Sequence, residues 1–447
     1  MAVSRPGASR ISRRTVLRGI AASAAGAGIA AFASGCTGFA TTGNSGLVFL
    51  STQFRPVEEA ERFRELLRTV YPAEVSYVTS EEGPFIGQVR TQHDANSVQF
   101  ALLGGVHGDL APLVDGYLAE ADGLLGELGD LGIPPEYLDL AKLGTRRSWY
   151  VPWAQASYLL AADEDALGQL PPGVREDELS YDDLLDWAIA ARRANGNRPR
   201  FGFPAGPAGL LHRFLQGYLY PSFTGGQITT FRSPEAVRAW EYLRELWANC
   251  VPSSTTYEMM QEALVAGEAT IAWDHMARLV DAPRTQPGRW RLLPAPRGPR
   301  GLGYMAVVTG LGLPAQSNDR AGATDLIKAL STASAQVELL RANAFLPVVR
   351  AELPDDLEPA LRMSAEAVDA QRAADDAILA LPPVGLAERE GEVTKVFQDC
   401  FRSIVLGGAN IRSTLDSQAR VLQRLLDELR VPCWAPDPVT GARCEVA

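Results

Sequence analysis

Four histidines in 447 residues leave little material for metal chemistry. His93, His107, His212 and His275 are scattered, and no histidine or cysteine pair has the spacing that zinc ligands take. No Gly-x-Ser-x-Gly elbow, His-Glu-x-x-His helix or phosphate loop occurs. Gly301-Leu302-Gly303-Tyr304-Met305-Ala306 matches a dinucleotide fingerprint on paper. It runs into the β-rich Val307-Val308-Thr309, however, and not into the helix that such a site requires. Carboxylate pairs such as Asp182-Asp183 and Asp375-Asp376 are sequence neighbours that diverge on a helix, so they read as solvated faces. Basic residues are in deficit, 42 against 53 acidic ones, for a net charge of −11. That excludes a nucleic-acid surface, which needs a basic face, and electrostatic docking on anionic lipid. No cofactor, metal or catalytic activity is expected.

What is present begins at the N-terminus. Arg13-Arg14-Thr15-Val16-Leu17 precedes an uncharged Ala/Gly-rich run from Gly19 to Ala33, which stops at Ala33-Ser34-Gly35-Cys36. A basic start, an apolar middle and small residues before a cut site make an export signal. The arginine pair resembles a twin-arginine signal, with Val16 where Phe is commoner. The small residues before Cys36 resemble a lipobox, with Ala33 where Leu is usual, so Cys36 is expected to carry lipid. The run is too short and too weakly apolar to read as a span, and no later stretch approaches 18 apolar residues. The expected product is an exported lipoprotein, periplasmic or at the cell surface. Lipid on Cys36 would hold it to the membrane; whether the Ala33-Ser34-Gly35-Cys36 site is lipidated or only cleaved is open. Residues 37–46 are small and polar and read as a tether.

About 410 residues follow Cys36, more than one core usually takes, so two lobes are expected. Four more cysteines sit in a compartment that permits disulfides. Cys433 and Cys444 bracket a turn-rich segment too short for a core, and a bridge there would tie down the tail, residues 431–447, by about 2–3 kcal/mol. Whether Cys250 meets Cys400 is open.

Leu47–Leu50, 74–78 and 98–103 read as strands, the last ended by Gly104-Gly105. Between them lie a helix opened by Pro56, with Phe63, Leu66, Leu67 and Val70 on one stripe, and a polar helix around 86–94. Strand–helix alternation predicts a mainly parallel α/β layer with ligand sites at the strand C-termini. Residues 110–140 look helical, broken by Pro134-Pro135. Segments 148–153, 158–162, 270–273 and 307–313 look extended. Ser180 and Asp183 form a capping box, and Pro234 starts a helix with Val237, Trp240, Leu243, Leu246 and Trp247 on its buried face. Residues 283–303 look loop-rich. Helices are expected at 321–331, 334–341, 355–380, 387–405 and 410–429.

Loose motifs in this order resemble the extracellular solute-binding proteins of ABC importers, in particular the sugar-binding cluster, family 1. Trp149-Tyr150-Val151-Pro152-Trp153 is similar to a Y-x-V-P-Y segment. Tyr158 to Asp163 is similar to its continuation, with Ala161 and Ala162 replacing the usual Tyr and Asn. Ser180-Tyr181-Asp182-Asp183-Leu184 is similar to T-W-d-E-l, and Phe223-Thr224-Gly225-Gly226 to a Gly-Gly turn. Ala266–Ala272, Leu293–Pro296 with Gly303, and Phe345–Val348 resemble three further family segments. The resemblance spans about Leu47 to Leu429.

It implies an α/β two-lobed periplasmic-binding-protein fold with hinged lobes and crossing strands. Lobe 1 would hold 47–154 plus 303–333, and lobe 2 would hold 155–302 plus 334–430. It also implies a monomer that delivers a small-molecule solute, a carbohydrate or something like it, to an ABC permease. Sugars offer apolar C–H faces and a rim of hydroxyls, so their pockets need aromatic plates and directional polar groups. The candidates are Gln53 and Phe54 after the first strand and His107 and Asp109 after the third. Trp153 and Gln155 lie at the crossover, with Trp149 beside them. The second lobe offers His212, Phe223, Trp273 and Asp274, and the return segment Gly303 and Tyr304. Arg350 could donate two parallel hydrogen bonds. Other solutes, a glycerophosphodiester or a polyamine, or an exported glycoside-active enzyme, are the alternatives. An arginine or lysine cluster in the cleft would favour phosphate, and several carboxylates a cation.

Overall fold

A computed structural model describes Gly46–Ala447 apart from residues 115, 387–388 and 440–442. The export signal, Cys36, nearly all of the tether and Gly441 lie outside the described residues.

Among the described residues, three sheets organise the chain. Its strands are β1 (Leu47–Ser51), β2 (Val75–Thr79), β3 (Leu102–Val106), β4 (Val151–Ala156), β5 (Tyr158–Asp163), β6 (Phe201–Gly202), β7 (Ile271–His275), β8 (Trp290–Leu293), β9 (Leu302–Met305), β10 (Val307–Gly312), β11 (Leu346–Pro347) and β12 (Ala377–Ala380). A six-stranded sheet runs β11-β4-β10-β3-β1-β2, a four-stranded sheet β6-β7-β5-β8, and β12 pairs with β9. In the first sheet β1 is parallel to β2 and β3, and β10 returns antiparallel between β3 and β4. The parallel βαβ start puts the C-terminal ends of β1, β2 and β3 along one edge, where loops collect functional side chains.

Helix Val57–Val70 follows its expected stripe, burying Phe63, Leu66 and Leu67. The capping box closes as read: Ser180 Oγ accepts from the Asp183 N–H at 3.1 Å, and the Asp183 carboxylate accepts from the Ser180 N–H at 2.9 Å. Ser233 caps helix Pro234–Trp247 by accepting from the Ala236 N–H at 3.1 Å. Several boundaries move. The third strand begins at Leu102 and runs through Gly104-Gly105 instead of stopping there. A Cβ on Gly104 would lie 2.7 Å from the Phe49 ring and 2.9 Å from Ser51 Oγ, so these glycines let β1 side chains cross the strand. Pro134 and Pro135 begin helix Pro135–Leu140, because proline suits a first turn. The stretch expected as one helix over 355–380 is helix Pro359–Ala373 followed by β12, and the loop-rich segment 283–303 contains β8 and the start of β9.

Two strand-to-strand junctions connect the sheets. Only Ser157 separates β4, in the six-stranded sheet, from β5 in the four-stranded one. Only Ala306 separates β9 from β10. Ser157 Oγ donates to the Met305 carbonyl at 2.8 Å and lies 3.0 Å from the Tyr218 hydroxyl, so one buried serine ties the two crossings together. Helix Ala333–Asn343 packs against helix Val57–Val70, on the six-stranded side. Among the described residues no helix is long and apolar enough to cross a membrane.

The C-terminal segment folds back onto the second layer. A disulfide joins Cys433 to Cys444, whereas Cys250 and Cys400 are free buried thiols. Trp434 Nε1 donates to Gln227 Oε1 at 3.1 Å.

Candidate functional site

The edge formed by the ends of β1, β2 and β3 gathers a group of polar side chains. β1 runs into Thr52-Gln53-Phe54. Thr52 Oγ1 donates to the Asp109 carboxylate at 2.5 Å, and the Val106 N–H donates to the same oxygen at 3.1 Å. Gln53 is half-buried; its Nε2 donates to Thr52 Oγ1 at 3.1 Å, and its carbonyl accepts from the Tyr77 hydroxyl at 2.6 Å. Phe54 sits at φ +52°, a left-handed geometry that costs a non-glycine residue about 1–2 kcal/mol. That turn sends its ring between Phe63 and Phe345, with centroids at 4.9 and 5.1 Å, and towards Trp153 at 6.3 Å.

Glu82 opens helix Glu82–Asp94 just past β2, and Glu390 opens helix Glu390–Cys400 from the other layer. Carboxylate oxygens of Glu82, Asp109 and Glu390 lie within 4.8 Å of one another. Arg213 binds Glu390 at 2.8 Å, with both side chains largely buried. Burial first, and the neighbouring carboxylates after it, hold the Glu82 carboxyl well above its ordinary range. Burial likewise raises Asp109, against the lowering effect of its Thr52 hydrogen bond. Helix N-termini favour negative charge, so the two helix starts oppose this effect without reversing it at Glu82.

The other expected site residues divide among separate places. His107 lines an apolar cavity of about 420 Å³ with Leu140, Val384 and Trp434; its Nδ1 is 3.0 Å from the Tyr150 hydroxyl, and burial lowers its pKa to about 4. His212 lines a cavity of about 230 Å³ with Pro207, Gln398 and Phe401; burial lowers it well below the usual histidine range, and its Nδ1 has no partner. Gln155 and Arg350 share a third cavity, about 280 Å³, with Asp369 and Arg372. Gln155 accepts from the Tyr137 hydroxyl and donates to the Pro347 carbonyl at 3.1 Å.

Several residues expected at the cleft are instead packing or structural residues. Trp273 is fully buried and stacks on Tyr158, and Phe223 packs on Tyr181 and Tyr242. Trp153 is buried against Phe63 and Phe54, while Trp149 donates through Nε1 to Thr145 Oγ1 at 2.9 Å. Asp274 accepts from the N–H groups of Met260 (2.8 Å) and His275 (2.7 Å) and so braces the end of β7; burial raises its pKa to about 6. Gly303 donates to Ser222 Oγ at 2.8 Å, where a Cβ would strike Pro221 and the Tyr218 carbonyl. Burial also raises the pKa of Tyr304, to about 12. These strands run through a layer interior, so a strand-end position does not reach solvent there. Thr52, Glu82, Arg213 and Glu390 escaped sequence reading, and Phe345 enters it only within a family-like segment. The strand-end rule applied to β2 would have found Glu82; Arg213 and Glu390 have no local signal.

Two α/β layers joined by paired strand crossings, with polar groups from both layers meeting at one edge, define a hinged binding protein. Residues 66–337 match the sequence profile of the bacterial extracellular solute-binding proteins, and the chain belongs to that family. No curated protein matches it by sequence. Solved structures share the two-lobed fold at low identity. UgpB from Mycobacterium tuberculosis, in complex with glycerophosphocholine, has a TM-score of 0.67 at 18% identity, covering 86% of this chain and 100% of its own. Maltose-bound MalE3 from T. maritima has 0.66 at 20%, covering 85% and 99%. The GacH receptor of Streptomyces glaucescens, solved unliganded and with acarbose, has 0.66 at 17%, covering 86% and 98%.

Proposed function

We propose that this protein is the substrate-binding component of an ABC importer, that it clamps a sugar or sugar-like solute between two hinged lobes, and that it hands that solute unchanged to a membrane permease. Lobe 1 is built on the six-stranded sheet. The packing of helix Ala333–Asn343 on helix Val57–Val70, and the pairing of β11 with β4, extend it beyond residue 333 to about 347. Lobe 2 is built on the four-stranded sheet, the C-terminal helices and the tail. Export and lipidation at Cys36 complete the reading: the anchor keeps the protein near its permease.

The observation that carries the proposal is the meeting of Glu82 and Asp109 from lobe 1 with Glu390, held by Arg213, from lobe 2. Directional donors and acceptors drawn from both lobes are what a hydroxyl-rimmed solute needs. A ligand touching both lobes favours the closed form by its differential affinity. A thermal-shift panel of mono- and disaccharides, with glycerophosphocholine and a polyamine alongside, tests the solute class. A saccharide at one hundred times its Kd should add about 2.7 kcal/mol and raise Tm. A panel in which only the phosphodiester or the polyamine moves Tm would overturn the sugar assignment.

A further inference from the structure

We propose that Glu82 and Asp109 on one lobe and Glu390 on the other form a proton-dependent latch that holds the solute-free protein closed in acid and releases it as the pH rises. The proposal rests on the two-lobed hinge described above but not on the identity of the solute.

Oppositely charged pairs would stabilise closure at any neutral pH. Here the two lobes instead present carboxyl groups to each other, with oxygens within 4.8 Å. Like charges so placed cannot all ionise, whereas a shared proton turns repulsion into a carboxyl–carboxylate hydrogen bond. Closure requires that at least one of them be protonated.

The surroundings do not neutralise the cluster. From β1, Thr52 donates to Asp109. Beside Glu82, Glu81 is taken up by an ion pair with Arg55. From helix Leu211–Phe214, Arg213 is the facing cation; it pairs with Glu390 at 2.8 Å and lies within electrostatic reach of Glu82. Tyr158 also lies within electrostatic reach of Arg213 and Glu390, with its pKa raised by burial. One guanidinium against three carboxyls leaves the group short of positive charge.

The direction of the pH effect follows. In the open form Glu390 withdraws from Glu82 and Asp109, which removes its repulsion and the burial that closure brings. In the closed form burial and mutual repulsion raise both. The closed form therefore binds more protons. Its advantage is complete below the open-state values and is lost as the pH rises through the closed-state ones. Between those limits the closed-to-open ratio falls about tenfold per pH unit for each linked proton.

Small-angle scattering of the solute-free mature protein at pH 5 and pH 8 tests this. The wild type should be compact at pH 5 and expanded at pH 8. Glu82→Gln and Glu390→Gln, made separately so that one misfolded variant does not end the test, carry an amide that cannot ionise. Each should reduce or abolish the expansion, with circular dichroism confirming the fold. A wild-type radius of gyration that is the same at both pH values would overturn the latch, as would variants that expand like the wild type. So would calcium at pH 8 re-closing the wild type but not the variants, because the bridging ligand would then be a divalent cation. None of these outcomes depends on the saccharide panel.

Discussion

Trp273→Ala is expected to lower the unfolding free energy by about 3–5 kcal/mol, the range for deleting a large core aromatic. Trp273 is 0% exposed on β7, which lies between β5 and β6. Tyr158 stacks on its ring at 4.9 Å with the planes 6° apart, and Phe214 and Tyr218 meet it edge-on at 5.2 and 5.3 Å. A solute could not stack on this ring without displacing those neighbours. The loss should appear in urea denaturation of the solute-free protein, and any weakening of binding should follow from it. A variant of wild-type stability with lost solute affinity would instead make Trp273 a cleft plate.

The second large effect is expected at Asp437. Its carboxylate accepts from the N–H groups of Gln227 (2.8 Å), Ile228 (2.9 Å) and Thr229 (2.8 Å), and from the Thr229 hydroxyl at 2.5 Å. A chain of backbone donors turned onto one carboxylate is an anion-binding nest. Gly225, at φ +81°, makes the turn, and a Cβ on Gly226 would lie 2.7 Å from the carboxylate. The Gly-Gly turn of the second lobe thus receives this chain's own tail. Asp437 is 3% exposed, so alanine would strand buried donors at about 1–3 kcal/mol each, and a total of at least about 4 kcal/mol is expected. The nest holds the segment that the Cys433–Cys444 disulfide closes. Asp437→Ala should therefore also expose the C-terminus to limited proteolysis, and Asp437→Asn should cost less. Unchanged stability and proteolysis in Asp437→Ala would show that the tail is held by other contacts.

Legibility in the sequence followed the range of the interactions. Helix stripes such as Phe63, Leu66 and Leu67, the Ser180–Asp183 box and the short Cys433–Cys444 loop are set within a few residues, and they could be read directly. The family motifs carried the two-layer architecture, because their order reflects the order of the crossings. Strand ends were less legible. Gly104-Gly105 looks like a stop, but it serves the passage of Phe49 from a neighbouring strand, which no local pattern encodes. Aromatic residues misled for the same reason: Trp273 and Phe223 have the right chemistry for a sugar plate, and only tertiary packing shows that both faces are taken. The meeting of Glu82 and Asp109 with Glu390 and Arg213 spans most of the chain, so nothing at any one position announces it.

Scattering with solute present bears most directly on the central claim. The mature protein at pH 8, titrated with the saccharide that most raises Tm, should contract as the sites fill, and mass spectrometry should recover that saccharide intact afterwards. An unchanged radius of gyration at saturation, or a saccharide recovered cleaved, would contradict a hinged clamp that captures its solute and gives it up unaltered.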